Sequence, residues 1–409
     1  MKKEQLTISP KRNDQGLPEG WTIQKLGKLG KVSSGTTPLR EKHREYFQGG
    51  AIPWVKTTDL NNSIILTSEE CITERALKET SLRIHPPDTL LVAMYGGFNQ
   101  IGRTGLLGTA ATTNQALSAI ECNSEITDPR YLLAWLNGNV EAWRNFAGSS
   151  RKDPNITSKD VRDFPVNLPP LPEQRKIATI LTAWDEAIQT ARQLLENKQL
   201  RKKALMQQVL TGQTRLPGFK DAWREVKLGE IFRERKDKGF DHLPLLAITS
   251  SNGVVMRDTL EKKDTSNSDK SKYLRICPND IGYNTMRMWQ GVSGVSRYEG
   301  LISPAYTVLV PGKSVDVGFM SYLFKFTPMI HTFWRFSQGL VSDTLNCKYD
   351  SLRRIQVSIP HLAEQRAIAE ILNAADEEIR LATEEIEALQ EQKRGLMQEL
   401  LTGKKRVSI

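Results

Sequence analysis

Several loops of the chain carry side chains that can hydrogen-bond to the edges of DNA bases. Arginine can grip guanine through O6 and N7, asparagine or glutamine can grip adenine through N6 and N7, and serine, threonine and lysine mostly anchor phosphates. In the first half of the chain these candidate contacts are Lys56, Thr57, Thr58, Tyr95, Asn99, Gln100, Arg103, Thr104, Asn114, Gln115, Ser150, Arg151 and Lys152. In the second half they are Asn284, Arg287, Trp289, Gln290, Ser296, Arg297, Tyr306 and Ser342. Polar residues beside glycines are also ordinary turn chemistry, and Tyr95 and Trp289 would serve equally well in a core.

No catalytic motif accompanies these loops. The segment VPGKS (310–314) lacks the earlier glycine of a phosphate-binding loop, and NLPP (167–170) and HPPD (85–88) lack the aromatic residue that closes an adenine-methylase tetrapeptide. The 5 histidines form no HExxH pair, and the 4 cysteines are scattered without CxxC spacing. We therefore expect no catalytic residues, no metal site and no bound cofactor.

Composition and charge narrow the class of protein. A chain of 409 residues is long enough for two or three domains, and its net charge of +10 favours nucleic acid as a partner. No apolar run approaches the roughly 20 residues of a membrane helix, and the opening MKKEQLTISPKR lacks the apolar stretch of a signal peptide. Together with the scattered cysteines, this pattern predicts a cytoplasmic protein that does not bind a membrane.

The loops need elements to hold them, and the clearest elements in the sequence are duplicated. LPPLPEQRKIATIL (168–181) returns as IPHLAEQRAIAEIL (359–372), and the two copies align without a gap from Leu168 to Gly212. Glu173 and Glu364 stand 191 residues apart, and about half of the aligned positions are identical. Each copy predicts one long helix, because a proline is tolerated in the first turn and a glycine ends each copy.

Apolar residues in each copy step by alternating four and three positions, which is the 3.5-residue period of a coiled coil. The first helix is rich in basic residues and the second in acidic ones, so the two copies are expected to pair with each other rather than with themselves. The residues assigned to helix pairing or to docking of a partner are Glu173, Gln174, Arg175, Ile177, Leu181, Trp184, Ile188, Glu364, Gln365, Arg366, Ile368, Leu372, Ile379 and Ile386.

The segments before the two helices form a second, more diverged repeat. DTLLVAMYGGFNQIGRTGLLG (88–108) matches NDIGYNTMRMWQGVSGVSRYEG (279–300), and in each an apolar strand runs through a glycine-rich bend into a second strand. These patterns predict two mixed α+β domains, at 17–167 and 216–358. The remaining segments are an N-terminal extension (1–16), a first spacer helix (168–215) and a second spacer helix with a basic tail (359–409).

Two variable domains, each followed by a long helix with the motif Leu-x-x-Leu-x-Glu-Gln-Arg-x-Ile and the ending Leu-Thr-Gly, resemble the DNA-specificity subunit of type I restriction–modification enzymes. The resemblance covers nearly all of the chain after the N-terminal extension. Its phrases in the first domain are IPWVKTTDL, LLVAMYGGFNQIGRTG, TTNQALSAI and GSSRKDPNIT, and in the second YNTMRMWQG, GVSRYEGLISPAYTVL and FSQGL. The second domain departs from the first at KTTD and TTNQ, so residue roles transfer poorly between the halves.

The resemblance implies an α+β fold in which two mixed α/β target-recognition domains are separated by two long antiparallel coiled-coil helices with internal pseudo-two-fold symmetry. Each domain would read one half of a split double-stranded DNA target. The helices would set the distance between the halves and dock two methyltransferase subunits, with motor–nuclease subunits joining outside. S-adenosylmethionine, ATP and Mg²⁺ would then be used by these partners and not by this chain.

Three alternatives stay open at the level of sequence. The chain could serve a type II-like enzyme whose partner fuses methylase and nuclease, or an orphan system that only methylates, and both would look almost the same. A coiled-coil scaffold without a DNA function is the third alternative. Binding of duplex DNA by the chain together with its methylase would exclude that scaffold.

Overall fold

The computed structural model describes residues 7–8, 12–14, 16–97, 99–147, 155–261, 269–339 and 344–409. The chain divides into two compact units, of which the first contains Met1–Arg192 and Glu385–Ile409 and the second contains Gln193–Glu384. Each unit therefore includes one mixed domain, the beginning of the long helix that follows that domain, and the end of the other long helix.

The first unit is built on a five-stranded and a three-stranded sheet. Its strands are β1 (Thr7–Ile8), β2 (Thr22–Lys25), β3 (Gly30–Ser34), β4 (Ile52–Val55), β5 (Ile64–Ile65), β6 (Glu70–Ile72), β7 (Thr89–Ala93), β8 (Thr104–Leu107), β9 (Thr112–Thr113), β10 (Leu117–Cys122) and β11 (Pro165–Leu168). Its helices are α1 (His43–Tyr46), α2 (Glu74–Glu79), α3 (Pro129–Gly138), α4 (Ser158–Asp163) and the beginning of α5 (Leu171–Val209).

The five-stranded sheet runs β3-β10-β7-β8-β5, and the three-stranded sheet runs β6-β4-β9. Strands β5 and β8 are parallel, as are β4 and β9, and the other pairs in these sheets are antiparallel. Every residue of the central strand β7 is buried. Cover on both faces explains why β7 reads as a continuous apolar run instead of an alternating one. The loops that leave this sheet therefore start from a buried strand.

The second unit has a smaller central sheet of order β13-β20-β17-β18, with three two-stranded ladders. Its strands are β12 (Arg224–Lys227), β13 (Phe232–Arg235), β14 (Leu246–Thr249), β15 (Gly253–Met256), β16 (Leu274–Ile276), β17 (Ile281–Asn284), β18 (Ser293–Val295), β19 (Gly300–Ile302), β20 (Tyr306–Pro311) and β21 (Gln356–Ile359). Its helices are α6 (Leu228–Ile231), α7 (Val317–Lys325), α8 (Thr327–Phe336), α9 (Tyr349–Leu352) and the beginning of α10 (Leu362–Leu401).

The coiled-coil prediction for α5 and α10 is confirmed. All ten predicted seam positions of each helix are buried or half-buried. They are Ile177, Leu181, Trp184, Ile188, Ala191, Leu195, Lys198, Lys202, Leu205 and Val209 in α5, and Ile368, Leu372, Ala375, Ile379, Ala382, Ile386, Leu389, Lys393, Leu396 and Leu400 in α10. Gly212 and Gly403 follow the two helices with φ of 71° and 65°, a left-handed conformation that costs glycine little and stops a helix.

Within each unit, the beginning of one long helix packs with the end of the other, which makes the pairing antiparallel. In the first unit Ile177 and Leu181 share a core with Leu400 and Leu401. In the second unit Ile368 and Leu372 share a core with Val209 and Leu210 of the first helix and its end. Each mixed domain is thus completed by a segment from the far half of the chain.

Polar positions in the seam are filled by cross-helix ion pairs. Lys202 binds Asp376 and Lys198 binds Glu378 (2.7 Å) in the second unit, and Lys393 binds Asp185 (2.5 Å) in the first. Lys198–Glu378 and Lys202–Asp376 have the predicted sense, with the cation on the basic helix α5 and the anion on the acidic helix α10, whereas Lys393–Asp185 has the opposite sense.

The two ends of the chain meet in the first unit, where β1 pairs with β22 (Lys405–Arg406). The predicted basic tail is engaged within the unit, since Lys405 pairs with Glu399 and Arg406 with Glu173. Among the residues that the structure describes, no helix is long and apolar enough to cross a membrane.

The seam predicts unequal effects for two leucines of the same helix. Leu372 is fully buried and Leu381 is 51% exposed. We expect Leu372→Ala to lower the free energy of unfolding by about 2–5 kcal/mol, because it leaves a cavity. Leu381→Ala should stay within about 0.5 kcal/mol of the parent. Urea denaturation followed by circular dichroism measures both, and equal losses would contradict the assigned seam.

Candidate nucleic-acid interface

In the first domain, backbone hydrogen bonds hold three of the candidate segments next to each other. Asn114 N donates to Val55 O (3.0 Å), and Met94 N donates to Ala116 O (2.8 Å). Segments 56–58, 94–95 and 114–115 follow directly after β4, β7 and β9. These three loops therefore lie beside each other, and they hold Lys56, Thr57, Thr58, Tyr95, Asn114 and Gln115.

Lys56 is engaged within the domain. Its Nζ binds Glu69 (2.8 Å) and Glu70 (2.6 Å), and its side chain is only 15% exposed. Glu70 also accepts a hydrogen bond from Arg40, which is the largest cause that lowers the pKa of Glu70 to about 2, and Lys56 adds to this against the opposing effect of burial. Lys56 thus works first as a structural cation beneath the loop.

The nearby residues Gln100, Arg103 and Thr104 also make side-chain hydrogen bonds within the domain. Arg103 donates from Nη1 to Gln100 Oε1 (3.0 Å) and from Nη2 to Leu60 O (2.5 Å). Thr104 is fully buried and its hydroxyl donates to Asn137 (2.6 Å). The assignment of Thr104 as a DNA contact is therefore wrong, because the residue opens strand β8, next to the central strand, and its side chain lies inside the domain.

Four of the candidates in this domain are exposed, namely Thr58, Tyr95, Asn99 and Gln115. Thr57, Gln100, Arg103 and Asn114 are half-buried. The Oδ1 atom of Asn114 is enclosed without a hydrogen-bond partner in the part of the chain that the structure describes. Unpaired polar groups of this kind are costly, so this acceptor is suited to a donor that arrives with a ligand or a water.

In the second domain, segment 284–291 forms one compact turn between β17 and β18. Asn284 Oδ1 accepts from Met286 N (3.0 Å), and Trp289 Nε1 donates to Met286 O (3.0 Å). Gly291 closes the turn in the left-handed region at φ 75°. Asn284, Arg287 and Trp289 are half-buried and Gln290 is exposed, so four predicted contacts share this turn.

Ser296 and Arg297 lie at the opposite end of the same hairpin. Ser296 N donates to Asp280 O (2.8 Å), which precedes β17, whereas segment 284–291 follows it. Ser296 is 1% exposed and its hydroxyl donates to Tyr298 O (2.7 Å), so its assignment as a DNA contact is wrong: the local turn uses its hydroxyl. Arg297 is exposed and borders a cavity of 1110 Å³ within the second unit.

The remaining candidates of the two domains are less informative. Tyr306 is half-buried against the apolar cluster around Leu246 and Val308, and burial raises its pKa. It therefore contributes to the core at least as much as to a surface. Ser150, Arg151, Lys152 and Ser342 lie outside the described residues.

The glutamates of the repeated helix motif have a role that the sequence did not reveal. Glu173 is fully buried and accepts hydrogen bonds from Trp21 Nε1 (3.1 Å) and from Arg406 Nε (2.6 Å) and Nη2 (2.7 Å). Glu364 is 2% exposed and accepts from Arg215 Nε (2.8 Å) and Nη2 (2.7 Å). Each carboxylate at the start of one long helix binds the guanidinium that follows the other helix. Glu173–Arg406 and Glu364–Arg215 are termed the crossed Glu–Arg pairs.

The glutamines next to them join each long helix to its own domain. Gln174 Oε1 accepts from Asp128 N (2.9 Å) and its Nε2 donates to Pro169 O (2.9 Å). Asp128 caps the N-terminus of α3. The long helix and the domain helix are therefore held by one buried side chain.

The second unit repeats this contact. Gln365 Oε1 accepts from Asp316 N (2.9 Å), its Nε2 donates to Pro360 O (2.9 Å), and Asp316 caps α7. All four motif glutamates and glutamines are buried in their own units, so they are not exposed for partner docking. These residues are Glu173, Gln174, Glu364 and Gln365. The glutamates do serve helix pairing, through the crossed Glu–Arg pairs, whereas the glutamines join each helix start to its own domain.

Arg215 and Arg406 are the functional residues that sequence reasoning missed. They lie beyond Gly212 and Gly403, which close the aligned repeat, yet they keep the same 191-residue offset. The available signal was that both copies have a glutamate at the start of the helix and an arginine shortly after its end, at the same spacing.

The other motif residues are distributed between the seam and the surface. Arg175 and Arg366 are exposed, and neither has a partner among the described residues. Trp184 and Ile379 are half-buried, and the fully buried apolar members are Ile177, Leu181, Ile188, Ile368, Leu372 and Ile386. Within the described ranges, no group of three or more histidine, cysteine, aspartate or glutamate side chains could hold a metal ion.

Comparison with known proteins identifies the family that this chain matches. The family model described as type I restriction modification DNA specificity domain matches residues 18–197 and again 220–391. The two matches coincide with the two copies of domain and helix.

Individual relatives carry the same description. The type I restriction enzyme MjaVIII specificity subunit of Methanocaldococcus jannaschii is 24% identical over 424 aligned positions, which cover 96% of this chain and 94% of that protein. The MjaIX specificity subunit of the same organism is 32% identical, but that match covers only 48% of this chain and 44% of the relative.

Solved structures show the same fold. A crystal structure of the type I restriction–modification S subunit from M. genitalium superposes with a TM-score of 0.58 at 15% identity, over 96% of this chain and 98% of that chain. A chain from a structural study of type I restriction–modification assembly gives a TM-score of 0.59 at 18% identity and covers 94% of this chain and 98% of its own.

The crossed Glu–Arg pairs predict a non-additive mutant cycle. Arg215→Met leaves the Glu364 carboxylate buried without a cation, so we expect the free energy of unfolding to fall by about 3–5 kcal/mol. The double substitution Arg215→Met with Glu364→Leu should lose clearly less, because no unpaired charge remains. Urea denaturation measures the cycle, and Arg201→Met, at an exposed position on α5, is the matched control. A double variant as unstable as the sum of its single variants would contradict the pairing.

Proposed function

The chain belongs to the family of type I restriction–modification DNA specificity proteins, and we propose that it reads a double-stranded DNA target in two halves, one through each domain. It is a specificity subunit, the non-catalytic recognition component of such a system. We further propose that it docks two methyltransferase subunits and that motor–nuclease subunits join outside them. S-adenosylmethionine, ATP and Mg²⁺ would be used by those partners.

The observation that carries this proposal is the repetition of one frame in both units. Each unit holds a mixed domain against a long helix through a buried glutamine, and closes the helix start with a crossed Glu–Arg pair. A protein with two equivalent halves suits a duplex, whose two strands are related by a two-fold axis. Two half-sites on opposite strands are the target that such a frame can present.

The exposed loop residues support base reading by each domain. Asn99 and Gln115 in the first domain, and Gln290 and Arg297 in the second, are exposed and carry groups that match adenine or guanine edges in the major groove. The net charge of +10 supplies a general attraction for phosphates. Specificity and electrostatic anchoring would then lie in different residues.

Docking of two identical partners is supported by the exposed arginines of the helix motif. Arg175 and Arg366 occupy the same position in the two copies, each one residue after a buried glutamine. Both side chains are exposed and have no partner within the described ranges. Each unit therefore offers the same cation in the same local frame, as two copies of one subunit would require.

Separate reading by the two domains predicts separate effects of two substitutions. Asn99→Ala should weaken discrimination in one half-site and Gln290→Ala in the other, each by about 1–3 kcal/mol, because a lost bidentate contact no longer rejects the wrong base. Competition binding of the chain with its methyltransferase subunits measures this, with target duplexes altered in one half at a time.

A control on the same chain makes that experiment selective. Gln208 is an exposed glutamine on α5, away from both loops in sequence, and Gln208→Ala should leave discrimination unchanged. Equal loss of affinity for target and random duplexes in both test variants would show that Asn99 and Gln290 anchor the backbone and read no bases.

If α5 and α10 set the distance between the half-sites, lengthening both helices should lengthen the unspecified gap between those half-sites. Four residues inserted after Ala191 and after Ala382 keep the Lys393–Asp185 pair on one side of the insertion and Lys202–Asp376 on the other. The insertion adds about 6 Å and about 40° beyond a full turn. One base pair adds about 3.4 Å and roughly 35° to DNA, so we expect one more unspecified base pair between the half-sites.

Methylome sequencing of a host that expresses the lengthened chain with its methyltransferase subunits measures the gap directly. Both half-sites should keep their sequence. An altered half-site with the original gap would refute the spacer role of α5 and α10.

A further inference from the structure

The second domain exposes an apolar surface beside its 284–291 turn. Trp334 is 51% exposed and Met286 is 46% exposed, and His331, next to Trp334 on the same helix, is exposed as well. Single exposed apolar residues are common on proteins, but exposed apolar side chains on two elements that pack together form a larger surface, to which the half-buried Trp289 adds. Met286, Trp289, His331 and Trp334 are termed the aromatic face.

The two segments of the aromatic face are packed together. Helix α8 lies against the turn at 288–290. A side chain placed at Gly291 would meet Ile330 of α8 at 2.9 Å, which shows how closely the helix approaches the end of the turn. Trp334 lies one helical turn after Ile330 and so faces the same side. The turn and the helix therefore form one continuous surface.

The aromatic face is held in place before any ligand arrives. The rings of His331 and Trp334 stack with their centroids 5.5 Å apart and 29° between their planes. Trp289 Nε1 donates to Met286 O, and Met286 N donates to Asn284 Oδ1. Hydrogen bonds and stacking of this kind reduce the ordering cost when a partner binds.

Charge selects the kind of partner. Arg287 lies within the turn, and Arg335 is exposed next to Trp334, so arginines accompany both segments of the aromatic face. An apolar surface with flanking arginines fits a polyanion that also displays apolar groups. In the major groove of DNA the only such group is the C5-methyl of thymine.

We propose that the aromatic face packs against thymine methyl groups in the half-site read by the second domain. This rests on the proposed function and adds to it a named class of base and a set of apolar contacts. The polar groups of the 284–291 turn would read the hydrogen-bonding edges, while Met286 and Trp334 would read the methyl groups beside them. Discrimination of thymine from cytosine at those positions would then not depend on a hydrogen bond.

The test compares the target duplex with duplexes in which thymines of one half-site are replaced by deoxyuridine, which removes only the methyl group. The intact chain with its methyltransferase subunits should bind the substituted second half-site about fourfold more weakly per contacted methyl. Trp334→Ala should weaken binding to the thymine duplex and lose this sensitivity to deoxyuridine. Trp334→Phe should retain most of it.

Controls separate the possible outcomes. Leu381→Ala removes an equally exposed apolar residue from α10 and should leave the effect of deoxyuridine in the second half-site intact. Replacing the thymines of the first half-site by deoxyuridine should leave that effect intact as well. Thermal melting by circular dichroism verifies that the Trp334 variants fold.

Three results would overturn the proposal. The first is a deoxyuridine effect that is unchanged in Trp334→Ala. The second is a target whose second half-site contains no thymine. The third is a Trp334 variant that loses a methyltransferase subunit in sedimentation while its DNA preference persists. Failure of the unaltered chain to prefer its target over random duplex would instead refute the proposed function.

Discussion

Two buried carboxylates constrain the whole chain. Glu173 and Glu364 start the long helices in places where water cannot solvate them, and an ionised carboxylate there is costly without a cation. The cations come from Arg406 and Arg215, which follow the opposite helices. The charge is satisfied only when the beginning of each helix lies beside the end of the other. Antiparallel pairing is therefore a condition for burying these groups.

Both units meet this condition with nearly the same frame, whereas their loops differ. Gln174 and Gln365 each bind the capping aspartate of a domain helix and a proline carbonyl before their own helix, and Lys202–Asp376 repeats Lys393–Asp185 at the 191-residue offset. Lys198–Glu378 has no such repeat, because Leu389 and Ala187 stand at the corresponding positions. This additional pair favours association of the two different helices over association of like copies. Recognition can then vary in the loops while the frame stays constant.

The sequence predicted the long-range order of the fold better than the chemistry of single residues. A period of 3.5 residues depends only on which side of a helix is apolar, and every predicted seam position is buried or half-buried. Burial of a polar side chain depends on partners that are far away in sequence. Thr104 and Ser296 looked like loop residues but lie inside a strand and a local turn, and the partners of Lys56 follow it on another segment. Glu173 looked like a docking residue because its arginine lies 233 positions away.

In the proposed function, two equivalent halves of one chain read one split target at a fixed distance. Methylome sequencing of a host that expresses the unaltered chain with its methyltransferase subunits tests this claim most directly. We expect one methylated motif with two specified half-sites, a constant unspecified gap, and methyl groups on opposite strands, one in each half-site. A single contiguous motif, or two half-sites at variable distances, would contradict it.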